Sequence, residues 1–125
     1  MKLVDADVVI DALRGTRRAV ALFEGLNAAG APLVASEMTR FEVLSGLRRG
    51  EEDETERFLA EIAFVPVDEP IARLAAGLAR TFRPAFSGIE DEDYIVAATA
   101  LEFEADLLTR NVRHFPMLSG LQPAY

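Results

Sequence analysis

The chain has 125 residues and a net charge of −8, half of its residues are hydrophobic, and it contains no cysteine. These values predict one globular domain spanning residues 1–125, and they exclude a disordered chain, a disulfide scaffold and a thiolate metal site. No apolar run reaches the roughly 20 residues that a membrane span needs, so we expect a cytoplasmic protein with no membrane contact. The acidity argues against holding nucleic acid by general electrostatics, but it is compatible with carboxylates that bind divalent cations.

Short apolar strands alternate with helices along the chain. Strands are predicted at residues 2–4, 32–35, 64–67 and 107–109, and the tail 110–125 is expected to add one small edge strand. Six helices are predicted. The first ends near Gly15, the second runs from Thr16 to about Gly30, and the third begins at Ser36. The fourth covers 51–62, the fifth begins at Asp68, and the sixth covers 92–103 with Asp91 as its cap. This alternation predicts an α/β fold, an α/β/α sandwich whose mostly parallel central sheet has helices on both faces.

Three carboxylates lie after strands or at the start of helices, where ligands of parallel sheets bind. Asp5 ends the first strand, Glu42 lies in the helix after the second strand, and Asp93 lies in the first turn of the last helix. Carboxylates that converge there repel one another, and a divalent cation such as Mg²⁺ removes that repulsion. We therefore expect these three acids to bind metal and to carry catalysis. Taken singly, each of them has a simpler explanation as a cap or a solvated residue. The other acids near helix starts are assigned to caps or the surface: Asp7, Asp11, Asp68 and Asp91.

Four segments resemble the motifs of the PIN-domain ribonucleases, and within them of the VapC toxins of bacterial toxin–antitoxin pairs. They are residues 3–15 with Asp5, 36–46 with Glu42, 93–100 with Asp93, and 109–116, in the order of that family. The resemblance implies an endoribonuclease that depends on Mg²⁺ or Mn²⁺ and acts on an RNA substrate. It also implies a homodimer and inhibition by a cognate VapB-type antitoxin, for which the predicted loop 83–90 beside the acidic cleft is the expected docking place.

The chain departs from the family pattern at several positions. Asn111 stands where the family often has a further acid, so we expect it to be an uncharged supporting ligand of the metal. Asp7 either joins the surroundings of the metal or caps the first helix. Thr109 either orients a metal-bound water or is an ordinary residue at a strand end. His114, which replaces a frequent Asp, either acts as an acid or phosphate contact or has a tail-packing or surface role, which the sequence favours. Four arginines beside the motifs are candidate RNA contacts, with a surface role as the alternative: Arg14, Arg40, Arg110 and Arg113.

Three other interpretations compete with the nuclease. Residues 5–8 after an apolar strand resemble the first motif of haloacid-dehalogenase phosphatases, and the length and acidity suit a receiver domain. The phosphatases resemble one another in using a later lysine, or sometimes an arginine, and a receiver domain is expected to use a later lysine, whereas Lys2 is the only lysine in this chain. The third alternative is a catalytically weak PIN-fold protein that dimerises and binds a partner. Metal-dependent RNA cleavage by the purified protein separates it from the nuclease.

Overall fold

Four parallel strands form one sheet in the order β3-β2-β1-β4. The structure is a computed structural model that describes residues 1–125. Leu3 of β1 is in register with Val34 of β2 and with Leu107 of β4, so β1 lies at the centre of the sheet. The strands are β1 (Lys2–Val4), β2 (Leu33–Ser36), β3 (Ala63–Val65) and β4 (Asp106–Leu108).

Six α-helices cover the two faces of the sheet, and their positions follow from the alternation of side chains along each strand. Leu3 joins a core cluster with residues of α6, whereas Val4 joins the opposite cluster with residues of α1, α2 and α4. Helix α5 packs on α6, where Ile71 and Ala75 meet Tyr94. The helices are α1 (Ala6–Leu13), α2 (Arg17–Ala28), α3 (Glu37–Ser45), α4 (Glu52–Leu59), α5 (Glu69–Phe82) and α6 (Asp91–Glu102).

The predicted α/β fold with a parallel sheet is therefore confirmed, as is the loop between α5 and α6. The predicted caps at Ser36 and Asp68 are also confirmed, because their side chains accept hydrogen bonds from the backbone N–H groups of Met38 and Ile71. The longest helix has 14 residues, and no helix combines the length and apolarity needed to cross a membrane.

Three local predictions were wrong, and the ends of several other elements differ from the predicted ones by one to three residues. The tail forms a single 3₁₀ turn at Val112–His114 and no edge strand, because Phe115 folds under the sheet into the core. The third strand ends before Pro66, which has no N–H to donate to a neighbouring strand. Asp91 lies inside α6 and does not cap it. Glu90 occupies the cap position, where its backbone N–H donates to Asp93 Oδ2 at 3.0 Å.

The strand order places the carboxyl ends of β1 and β4 at the point where the chain changes direction across the sheet. The chain leaves β1 toward β2 and β3 on one side, and it then returns to pair β4 with the other side of β1. In open parallel sheets this switch point leaves a crevice in which ligands bind. Asp5 directly follows β1 and Thr109 directly follows β4, so both residues lie at this crevice.

Candidate metal centre

Asp5 is the buried residue at the centre of the crevice, with 6% of its surface exposed. It caps α1 by accepting a 2.9 Å hydrogen bond from the N–H of Ala6 at Oδ1. Its other oxygen, Oδ2, accepts a 2.8 Å bond from the hydroxyl of Thr109. Burial, followed by the charge of Asp7, raises the pKa of the Asp5 carboxyl to about 7 in spite of these two hydrogen bonds. Ionised Asp5 is therefore held in place but is short of positive charge.

Asp7 and Thr109 join the beginning of α1 to the segment after β4. Asp7 Oδ2 accepts a 2.8 Å hydrogen bond from the backbone N–H of Arg110, and both Asp7 oxygens lie 3.4 Å from the Thr109 hydroxyl. That hydroxyl also accepts a 3.1 Å bond from the backbone N–H of Asn111. Burial raises the pKa of Asp7 as well. Of the two roles that the sequence left open for Asp7, the geometry favours membership of the acidic site.

Glu42 reaches the same crevice from the second turn of the helix that follows β2. It lies in α3, which contacts both α1 and α6. Burial, followed by the charge of Asp5, raises the pKa of Glu42 to about 7, and Glu92, Asp93 and Asp7 add to this rise. The side chain forms no ion pair, so its charge is opposed only by other carboxylates. The position of Glu42 in the helix after β2 predicted that it lies at this edge of the sheet. Tertiary packing then places its carboxylate near those of Asp5 and Asp93.

Asp93 enters from the first turn of α6 and is more restrained than Glu42. Its Oδ2 accepts the N–H of Glu90 at 3.0 Å and lies 3.3 Å from His114 Nδ1. Burial raises the pKa of Asp93, while the Glu90 hydrogen bond and His114 oppose that rise. His114 thus lies against an acid of the site and is neither in the core nor free on the surface.

The four carboxylates of Asp5, Asp7, Glu42 and Asp93 form one electrostatic group, which we call the acidic crevice. No lysine or arginine side chain pairs with any of them. Their donor chemistry, several oxygens on partly buried acids, fits a hard divalent cation. No three acidic or histidine side chains of the chain already stand in metal-binding geometry, so the crevice is a group of neighbouring acids and not a finished cage.

The remaining candidates lie around this group in different states. Asn111 is exposed, and its backbone, not its side chain, makes the hydrogen bonds of the turn. Arg40 is held by Glu37 at 2.7 Å and lies 3.9 Å from the centre of the Phe64 ring. Arg110 lies 3.4 Å from Asp11. The other two arginines are exposed and form no ion pair: Arg14 and Arg113.

Sequence reasoning missed one feature of the site. Asp11, assigned to a cap or the surface, accepts a 2.5 Å hydrogen bond from the hydroxyl of Tyr125, a residue 114 positions away. No spacing rule links two residues so far apart. The one local signal was that Asp11 lies four positions after Asp7, which puts both on the same face of a helix.

Comparison with known proteins gives a consistent result. The PIN domain family model matches residues 2–118. The chain is 46% identical over 125 residues to Ribonuclease VapC19 of Mycobacterium tuberculosis, covering all of both chains. It is 39% identical over 127 residues to Ribonuclease VapC10 of the same species, covering all of this chain and 93% of that one.

A solved structure described as a toxin-antitoxin complex from Klebsiella pneumoniae aligns with 100% of this chain and 98% of that chain, at 25% identity and a TM-score of 0.82. The structural match and the sequence matches confirm the fold and the family to which the resemblance pointed. They leave the phosphatase and receiver interpretations without support. The chain belongs to the PIN-domain family and, within it, to the VapC proteins.

Proposed function

We propose that this VapC protein is the toxin of a toxin–antitoxin pair and acts as an endoribonuclease that depends on a divalent cation, Mg²⁺ or Mn²⁺. One observation carries the proposal. Four acids at the switch point of the sheet, each buried or partly buried, have no lysine or arginine side chain paired to them, and the pKa values of Asp5 and Glu42 are raised to about 7. A bound cation would remove both the repulsion and the desolvation that cause this rise.

The role of each residue at the cation would depend on how firmly hydrogen bonds hold its side chain. Asp5 and Asp93 would hold the cation, since hydrogen bonds from Ala6, Thr109 and Glu90 already fix their orientation. Glu42 would complete the set by rotating its unrestrained side chain. Asn111 would support the cation or its water through an amide oxygen, which adds no charge. When bound, the cation supplies an acidified water and neutralises charge on the phosphodiester.

The RNA itself would be held by the arginines around the crevice. Arg14 and Arg113 are exposed and free of ion pairs, so they are the first candidates for phosphate contacts. Arg40 and Arg110 are already engaged with Glu37 and Asp11, and contact with phosphate would require them to exchange partners.

The test uses Mg²⁺ or Mn²⁺ with total cellular RNA as the probe. We expect the purified protein to cleave the RNA with the cation and not with EDTA. Asp93→Asn should nearly abolish cleavage and weaken Mn²⁺ binding in calorimetry, with the fold retained. Asp91→Asn is the matched control, because that acid lies on the same helix but is 82% exposed and paired with Arg83. Full activity of Asp93→Asn in Mg²⁺ would contradict the assignment of the site.

The partner in this proposal is a VapB-type antitoxin. This chain is similar to ribonucleases named VapC and to a chain of a toxin–antitoxin complex. The carboxylates of the acidic crevice could also form ion pairs with an arginine from a partner segment. Such an arginine would pair with the Asp5 and Asp93 carboxylates and displace the cation. We expect a complex purified after co-expression with its antitoxin to lack cleavage. A complex that kept full nuclease activity would refute this mode of inhibition.

Growth offers a direct check of the toxin role. Expression of the chain alone should arrest cell growth, and Asp5→Asn should restore it. Binding of an antitoxin without any RNA cleavage would instead support the partner-binding interpretation. The homodimer and the cytoplasmic location stay predictions, for which sedimentation and cell fractionation are the measurements.

A further inference from the structure

Residues 124–125 form hydrogen bonds with two elements that border the acidic crevice. The backbone N–H of Ala124 donates to the carbonyl of Thr109 at 2.8 Å. The Tyr125 hydroxyl donates to Asp11 Oδ2 at 2.5 Å, and its ring packs at the edge of the core cluster below α1. These bonds connect residues 124–125 both to the segment after β4 and to α1.

The Arg110 side chain contacts both Tyr125 and Asp11. Its guanidinium lies 5.2 Å from the centre of the Tyr125 ring, and Nη1 lies 3.4 Å from Asp11 Oδ2. Asp11 therefore receives a phenol hydroxyl and a guanidinium on the same oxygen, whereas a free surface acid would meet only water. Tyr125, Asp11 and Arg110 are called the clasp below.

The clasp holds a segment that supplies hydrogen bonds to two acids of the crevice from outside their own helix, in addition to the bonds from the N–H groups of Ala6 and Val8. The N–H of Arg110 donates to Asp7 at 2.8 Å, and the hydroxyl of the preceding Thr109 donates to Asp5 at 2.8 Å. Both donors depend on where residues 109–111 lie relative to α1. The 3-residue strand β4, the bond from the N–H of Ala124 to Thr109 and the bonds of the clasp all contribute to that position.

We propose that Tyr125 is a positioning residue: through Asp11 and Arg110 it holds residues 109–111 against α1, so that Asp5 and Asp7 are oriented for the cation. The orientation of the backbone is independent of the function proposed above, whereas its consequence for the cation rests on that function. A loose segment would let Asp5 and Asp7 turn away from each other, and cation affinity would fall.

Tyr125→Phe is the sharp variant, since it removes one hydroxyl and keeps the ring. The chain supplies a matched control in its only other tyrosine. Tyr94 is buried on α6 with a hydroxyl that has no hydrogen-bond partner, so Tyr94→Phe removes the same atom without breaking a bond. Asp11→Asn, and the double variant with Tyr125→Phe, test whether the two residues act as one unit.

The first measurement needs neither metal nor RNA. Amide hydrogen exchange of the metal-free protein should be faster at Arg110 and Asn111 in Tyr125→Phe than in Tyr94→Phe, by about threefold to tenfold, the range that one hydrogen bond carries. Equal exchange in the two variants would overturn the clasp itself, whatever the protein does.

The second measurement is Mn²⁺ affinity by calorimetry, with the cleavage rate followed as Mn²⁺ is raised. Tyr125→Phe should weaken Mn²⁺ binding by about threefold to tenfold, and saturating Mn²⁺ should restore the cleavage rate. The double variant should be no weaker than the weaker single variant.

Asp5→Asn separates the two hypotheses. Loss of Mn²⁺ binding in Asp5→Asn with unchanged binding in Tyr125→Phe would overturn the role of the clasp and leave the proposed function standing. Unchanged binding in both variants would refute the proposed metal site, and the exchange measurement would then decide the clasp alone.

Discussion

Replacing Asp5 by asparagine should stabilise the protein in the absence of a cation, although it removes an acid that we place in the active site. In the folded chain burial and the charge of Asp7 raise the pKa of Asp5 from 3.8 to about 7. Ionisation of this group therefore favours the unfolded chain. Its contribution to the free energy of unfolding is fully present below pH about 3.8, and it is lost as the pH rises to about 7.

The structure sets the size of this effect. The rise of the Asp5 pKa from 3.8 to about 7 corresponds to about 4 kcal/mol of unfolding free energy lost at about pH 8. Asparagine has nearly the shape of aspartate, and its Oδ1 can accept from the N–H of Ala6. Its amide can donate to Thr109, whose hydroxyl would then turn its proton toward Asp7, 3.4 Å away. Allowing about 1–2 kcal/mol for this exchange of hydrogen bonds leaves a gain of about 2–3 kcal/mol.

The assay is thermal unfolding in EDTA at a series of pH values. Near pH 8 we expect Asp5→Asn to melt about 6–15 °C above the natural protein. At pH about 3 and below, where Asp5 is mostly neutral in both the folded and the unfolded chain, the gain should vanish, and Asp5→Asn should melt slightly below the natural protein because of the exchanged hydrogen bonds. Asp106→Asn is the control. Lys2 lowers the pKa of the exposed Asp106 carboxyl, so the loss of this carboxylate in Asp106→Asn should slightly destabilise the protein above pH about 4. A difference between Asp5→Asn and the natural protein that does not change with pH would refute the electrostatic reasoning.

Three further predictions concern the segment after β4 and the core. Thr109→Val should lower the free energy of unfolding by about 1.5–3 kcal/mol at neutral pH in urea titration, because Asp5 loses a donor, whereas Thr109→Ser should be nearly neutral. In Mn²⁺ titrations Asn111→Asp should tighten binding of a second cation and keep activity, and Asn111→Ala should lose less activity than Asp5→Asn. Equal Mn²⁺ affinity in the natural protein and the two Asn111 variants would remove Asn111 from the site. Leu59→Ala, which empties a position only 2% exposed in the core, should cost about 2–5 kcal/mol of stability in the same urea titration without changing Mn²⁺ affinity.

Local patterns in the sequence predicted the sequence of strands and helices and the parallel sheet. They depend on neighbours within about four positions, such as the apolar spacing of α5 or the Ser36 hydroxyl that caps α3. The edge on which Asp5, Glu42 and Asp93 lie followed from the same patterns, because helices that alternate with parallel strands begin or end at one edge of the sheet. The family was also evident from the order of the four motifs.

Boundaries failed where a local signal had two solutions. Asp91 was predicted as the cap of α6 because aspartate is a preferred cap residue, whereas the helix begins one residue earlier, with Glu90 as its cap, and Asp93 accepts the backbone N–H of Glu90. The tail was ambiguous for the same reason. Its apolar residues suited an edge strand, but burial of Phe115 under the sheet stabilises the chain more than one further strand pair would.

Only the tertiary structure decided how the acids are held. Asp5 meets Thr109 across 104 positions of sequence, and Asp11 meets Tyr125 across 114. Neither contact follows from periodicity, since each depends on β4 pairing with β1 and on the tail folding back beneath α1. The sequence determined by itself which residues carry charge and which edge of the sheet they reach. The raised pKa values and the clasp arise only when packing excludes water from groups that are far apart in the chain.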